Sequence, residues 1–182
     1  MLTTSNRADR RERISVDPGT QCLLSVPSMR SPLERLPADA FENLLVVSVT
    51  RSPTKIERTV REMGGEPSKV GVVPVSGSSI NYDGPLWVAD VVGPTDLTGI
   101  NLRFSNAMRH VEPGAGWVVF DNVNVLLMYA QSDSVYQFLS AVISQARSRQ
   151  ARGVYAVVRD AITDETYASV RELFDEEFAT DA

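Results

Sequence analysis

The sequence predicts an α/β domain with a mainly parallel sheet of about six strands and helices on both faces. Apolar, β-branched runs alternate with segments of helical period along nearly the whole chain, which is the order of βαβ units. The run Asn43-Leu44-Leu45-Val46-Val47-Ser48-Val49 is nearly continuous in apolar residues rather than alternating, as suits a central strand covered on both faces. With 182 residues and 43% hydrophobic content, the chain fills one core of ordinary size.

The elements follow in order. Residues 1–19 carry Arg7, Arg10, Arg11 and Arg13 without apolar periodicity and read as a flexible arginine-rich tail. Gln21-Cys22-Leu23-Leu24-Ser25-Val26 is a short buried strand ended by Pro27, and the proline-rich segment 27–41 leaves room only for a short helix. After the second strand, Ser52-Pro53 supplies an N-cap and a proline at the first helical position. Ile56, Val60 and Met63 then fall on one face before Gly64-Gly65 stops the helix.

A third strand is predicted over 70–75, an exposed loop over 77–85 and a fourth strand over 87–92. Thr95 or Asp96 caps a helix whose apolar positions are Leu97, Ile100, Phe104 and Met108. A fifth strand over 116–121 ends in Asp121, with helical patterns over 123–129 and 134–147. The sixth strand covers 153–158 and the last helix 164–174. The folded domain is therefore expected over 20–176, with 177–182 as an acidic tail.

Composition excludes several function classes. Cys22 is the only cysteine and His110 the only histidine, so neither an internal disulfide nor a Cys/His zinc cluster can form, and no metal is expected. The net charge of −5 argues against a surface wholly given to nucleic acid. No apolar run approaches the length that spans a bilayer, and the amino terminus lacks the apolar segment of a secretory signal, so a cytoplasmic protein without membrane contact is expected.

Parallel α/β sheets bind ligands at the carboxyl ends of their strands, which directs attention to 27–31, 50–52, 121–124 and 159–160. The segment Trp117-Val118-Val119-Phe120-Asp121 ends an apolar strand in a carboxylate, the arrangement by which P-loop NTPases orient Mg²⁺. Aspartate at a strand tip is also an ordinary cap for the helix that follows.

The order of segments resembles KaiC-like members of the RecA-fold ATPases over roughly residues 20–175. The resemblance rests on the strand and helix from Leu45 through Ser52-Pro53 to Gly64-Gly65, on Asp121 and the Leu126-Leu127 helix, and on the final strand and helix. It is closest to uncharacterised haloarchaeal RecA/KaiC-like proteins, and it implies a RecA-like core. Active members of that family need a G-x-x-x-x-G-K-[ST] loop after the first strand. This chain has Val26-Pro27-Ser28-Met29-Arg30-Ser31-Pro32 there, with neither glycine nor lysine. Thr50 and Arg51 stand where the family carries paired glutamates, and neither is a general base at neutral pH.

The resemblance therefore implies a degenerate, non-catalytic domain with no cofactor and no catalytic residue. Such a domain is expected to act by regulatory or scaffolding contact with a protein partner or with a second copy of itself. Two alternatives stay open. One is an atypical nucleotide-binding ATPase or switch that uses Ser28, Arg30 and Asp121. The other is nucleic-acid binding through the arginine-rich tail and Arg147, Arg149 and Arg152. His110, at a predicted helix end, is accounted for by the helix dipole.

Overall fold

The structure, a computed structural model, describes residues 13–27, 30–49 and 51–179. These residues form seven strands in one all-parallel sheet: β1 (Gln21–Val26), β2 (Leu44–Ser48), β3 (Val70–Pro74), β4 (Trp87–Val88), β5 (Trp117–Phe120), β6 (Arg152–Val158) and β7 (Glu176–Ala179). The helices are α1 (Pro53–Glu62), α2 (Leu97–Met108), α3 (Val123–Tyr129), α4 (Ser132–Ser148) and α5 (Asp164–Arg171).

The strand order is β4-β3-β2-β5-β6-β1-β7. Connections that step toward the β4 edge place Leu33, Phe41, Ile56 and Val60 on one face, against Val46, Val72, Val119 and Val154. Connections that step toward the β7 edge place Ile100, Phe104, Leu139 and Val170 on the other face, against Val47, Phe120 and Tyr155. Right-handed crossovers force this division, because reversing the direction of travel moves the helix to the opposite face. The reversal falls between β2, which leads outward to β3, and β5, which leads to β6. That junction is where an open α/β sheet leaves a crevice at its carboxyl edge.

Local chemistry fixes the elements beside that crevice. The Ser52 side chain accepts from Lys55 N–H at 3.3 Å with Pro53 in the first turn, and Gly64 adopts φ +82° to end α1. Asp96, rather than Thr95, caps α2 by accepting from Gly99 N–H at 2.8 Å. The core between sheet and helices is strongly aromatic. Phe120 stacks on Tyr155 at 5.2 Å and touches Phe104 and Phe138 at 5.8 and 6.2 Å.

The boundaries differ from the sequence expectation in four places. The domain begins before residue 20: Ile14 is buried, and its N–H donates to Arg35 C=O at 2.8 Å. Residues 14–19 are thus part of the fold, while the first twelve residues of the expected tail lie outside the described residues. The expected acidic tail begins within a strand, because Glu176–Ala179 pairs with β1 through backbone groups that carry no side-chain signal. Seven strands therefore replace the expected six. The fourth strand shortens to two residues and resumes only as a bridge between Val75 and Val92. Val75 N–H turns to Ser48 C=O on the β2 side, so the N–H that Pro74 lacks is the one that would face β4. Segment 27–41 forms two short 3₁₀ helices, Pro32–Arg35 and Ala38–Glu42.

Among the described residues, no helix is long and apolar enough to cross a membrane.

Candidate functional site

The crevice at the carboxyl ends of β1, β2, β5 and β6 is a cleft of about 340 Å³ lined by Val26, Arg30, Arg51, Lys55, Asp121, Asn122 and Val158. Two of the three sequence-predicted site residues, Arg30 and Asp121, meet there; Ser28 lies outside the described residues. Arg30 and Lys55 are exposed on the rim and Asp121 is buried at the base.

Asp121 leaves the end of β5 and turns toward β2. Its Oδ1 accepts from Val49 N–H at 2.7 Å. Its Oδ2 shares the single Ser48 hydroxyl hydrogen with Arg51 C=O; the oxygen separations are 3.0 and 2.5 Å. Arg51 Nη1 stands 3.7 Å from the same Oδ2. A buried carboxylate is stable only when its lone pairs and charge are met, and here the last residue of β2 and the chain just after it help to meet them. Asp121 plays a structural part, though not as a cap of the following helix. Asn122 holds the N-cap position of α3, and no side-chain cap bond forms there. Asp121 acts instead as a clasp between two neighbouring strand ends.

A second clasp, which the sequence reading missed, lies one strand over. The Asn124 amide accepts from Val158 N–H at 2.6 Å and donates to Val158 C=O at 3.0 Å, extending β6 as a strand partner would. The only signal for it is a polar residue on the buried side of an otherwise apolar helical run. Arg159 and Asp160 do not line the cleft. The Arg159 guanidinium packs over the Tyr167 ring at 4.2 Å and pairs with Asp164.

On the loop after β1, Ser31 accepts from Leu33 N–H at 3.3 Å and caps a 3₁₀ helix of four residues begun by Pro32. That single turn presents far fewer aligned N–H groups than the long helix that follows a phosphate loop. The described residues hold no group of three or more His, Cys, Asp or Glu side chains placed to bind a metal ion.

The carboxyl-terminal arginines are partly committed elsewhere. Arg147 Nη2 donates to Asp175 Oδ1 at 2.9 Å. Arg152 donates to Val16 C=O at 2.7 Å and lies over the Trp117 ring at 5.6 Å. His110 follows the end of α2, as expected, and its ring packs on Trp87. Cys22, on β1 beside β7, is buried in the core that holds Ile14 and Leu33; burial first, then the charges of Glu176 and Asp175, push its thiol up to about 12.

The fold is similar to that of a solved protein from Pyrococcus horikoshii OT3 described only as the subject of a structural study. The TM-score is 0.55 at 11% identity, over 98% of this chain and 89% of that one. In all, 140 solved chains match, so the likeness marks a widely used architecture and carries no activity with it. No curated protein matches. A family model described as a family of unknown function, DUF7504, matches residues 25–178.

Proposed function

Because the chain belongs to the DUF7504 family, whose function is unknown, we propose from its own residues that it is a non-catalytic, RecA/KaiC-like domain of the cytoplasm. It acts through its surfaces, as a regulatory or scaffolding partner of another protein or of a second copy of itself. The observation that carries this reading is the engagement of Asp121. Its carboxylate is bonded to Val49 N–H and Ser48 Oγ and faced by Arg51. A carboxylate held in this way makes a strand clasp and has little left to offer a metal-bound nucleotide. The capped four-residue turn after β1 supports the reading, because it is a poor substitute for a phosphate cradle. The parallel run of β1 and β2 in one sheet suits a RecA-like core.

A sedimentation-velocity series on the full chain, with and without Mg²⁺-ATP, tests the proposal alongside a phosphate-release assay. Assembly that is indifferent to nucleotide, with no phosphate released, is the expected result. Turnover of ATP or Mg²⁺-ATP-driven assembly would contradict it.

A second reading is favoured by one specific observation. Arg30, Arg51 and Lys55 gather three cations around one carboxylate in the switch-point cleft. An anionic ligand, such as a nucleotide bound through its phosphates, would meet charge complementarity there without a phosphate loop. Stabilisation by ATP that needs no Mg²⁺ and disappears in Arg30→Ala and Lys55→Ala would favour this reading.

A further inference from the structure

At the opposite end of the sheet, a cavity of about 290 Å³ opens between the amino ends of β2 and β3, the edge strand β4 and the last turn of α2. Leu45, Gly71 and Trp87 lie in register across these three strands. Residues in register on parallel strands share a face, so Gly71 leaves a gap between two large neighbours. The Trp87 indole leans over that gap. A Cβ on Gly71 would stand 3.1 Å from Trp87 Cε3 and 3.5 Å from Leu45 Cδ1.

Ala107 and Val111 line the cavity from the helix side, and the small Ala107 leaves space where a longer side chain would fill it. The rings of Trp87 and His110 are 5.4 Å apart and tilted by 52°, so the two residues make a continuous aromatic wall. Trp87 is 42% exposed although it adjoins buried Leu45, Ala107 and Val111. At the exposed rim one ammonium stands between two carboxylates, with Lys69 Nζ 2.7 Å from Glu42 Oε2 and 3.8 Å from Glu66. The Ser68 side chain adds a polar group to the lining.

We propose that this cavity is a binding site for a small uncharged aromatic molecule, one ring or a compact bicycle carrying a single polar substituent. Its size sits at the lower end of ligand pockets, about 300 Å³, which admits a ring but no extended chain. The aromatic wall supplies offset or edge-on ring contacts. Lys69 is already held by two carboxylates, and Glu42 and Glu66 stay mostly exposed to water, so a charged ligand would lose hydration without gaining a buried counter-charge. The site lies away from the switch-point cleft, and its occupancy does not depend on the surface-acting reading.

The test is a titration of the full chain with phenol and with benzamide, followed by NMR at the backbone amides of Gly71 and His110. Saturable shifts are expected there, with benzoate and benzylamine binding about ten-fold more weakly. Trp87→Ala, a substitution at an exposed position, is expected to weaken binding at least about ten-fold. Ala107→Leu, which fills the cavity, is expected to abolish it. Absence of saturation with both neutral probes, undiminished binding in Trp87→Ala, or equal binding of the charged probes would overturn the proposal.

Discussion

The cleft at the carboxyl ends of the strands and the cavity at their amino ends are similar in size, about 340 and 290 Å³, but opposite in chemistry. The first is charged and sits where the sheet reverses direction, its buried carboxylate consumed by the neighbouring strand. The second is walled by Trp87, His110 and aliphatic side chains, with Lys69 and two carboxylates at its exposed rim. The same sheet therefore uses charge to fasten its strands at one end and leaves an apolar hollow at the other. Position in an α/β fold indicates where to look for a site, but the state of the side chains decides whether it is open to a ligand.

Removing the clasp should give the largest effect. Asp121→Ala removes the acceptor of Val49 N–H and the carboxylate that Arg51 faces, and is expected to cost about 3 kcal/mol in urea unfolding. A cost below about 1 kcal/mol would show that Asp121 is not the fastening described. Arg51→Met should cost less, because the guanidinium stands 3.7 Å away and is 17% exposed. At the opposite end, Trp87→Ala should change stability by less than about 1 kcal/mol, since the ring is substantially exposed. A larger loss would mean that the indole holds the sheet edge in place.

Cys22 probes a third region, the attachment of β7. With its thiol pushed up to about 12 by burial and by two carboxylates, almost no thiolate exists at neutral pH. Labelling by a disulfide reagent is expected only at the rate at which the chain opens. Fast labelling under native conditions would show that the edge of the sheet at β1 and β7 opens without global unfolding.

The smallest effect should come from the loop that leads into β4. The Tyr82 hydroxyl donates to Glu57 at 2.6 Å and accepts from Leu86 N–H at 3.1 Å, fastening the segment before Trp87. The Tyr82 bond, followed by the bond from Arg61, holds the Glu57 carboxyl below its ordinary range. A depressed folded-state value contributes stability above the unfolded value of about 4.3, and that stability fades as pH falls through the folded value. Glu57→Gln should therefore narrow the stability difference between pH 7 and pH 3. An unchanged difference would remove Glu57 from the account.

Much of this architecture was legible in the sequence. Apolar runs centred on paired valines marked β2 and β5, and Ser52-Pro53 with Gly64 bracketed α1 almost to the residue. Asp121 was legible as a strand-tip carboxylate, but its partners were not. Ser48, Val49 and Arg51 lie some seventy positions away in the chain and meet it only through the pairing of β2 with β5. The strand Glu176–Ala179 was hidden because an edge strand is held by backbone groups, and its two glutamates read as a solvated tail. Ile14 was hidden for another reason: Ile14-Ser15-Val16 is too short a run to show a period. The amino-end cavity draws on three strands and a helix, and its decisive residue is a glycine, which leaves no pattern of its own.

The measurement that bears most directly on the central claim is a thermal-shift titration of the full chain with ATP, with and without Mg²⁺. If the clasp has replaced metal-nucleotide chemistry at the switch point, Mg²⁺ should add nothing to any effect of ATP. Native-state binding at a hundred times the dissociation constant contributes about 2.7 kcal/mol, enough to move the midpoint of a domain this size by several degrees. A rise of that size that requires Mg²⁺ would contradict the account.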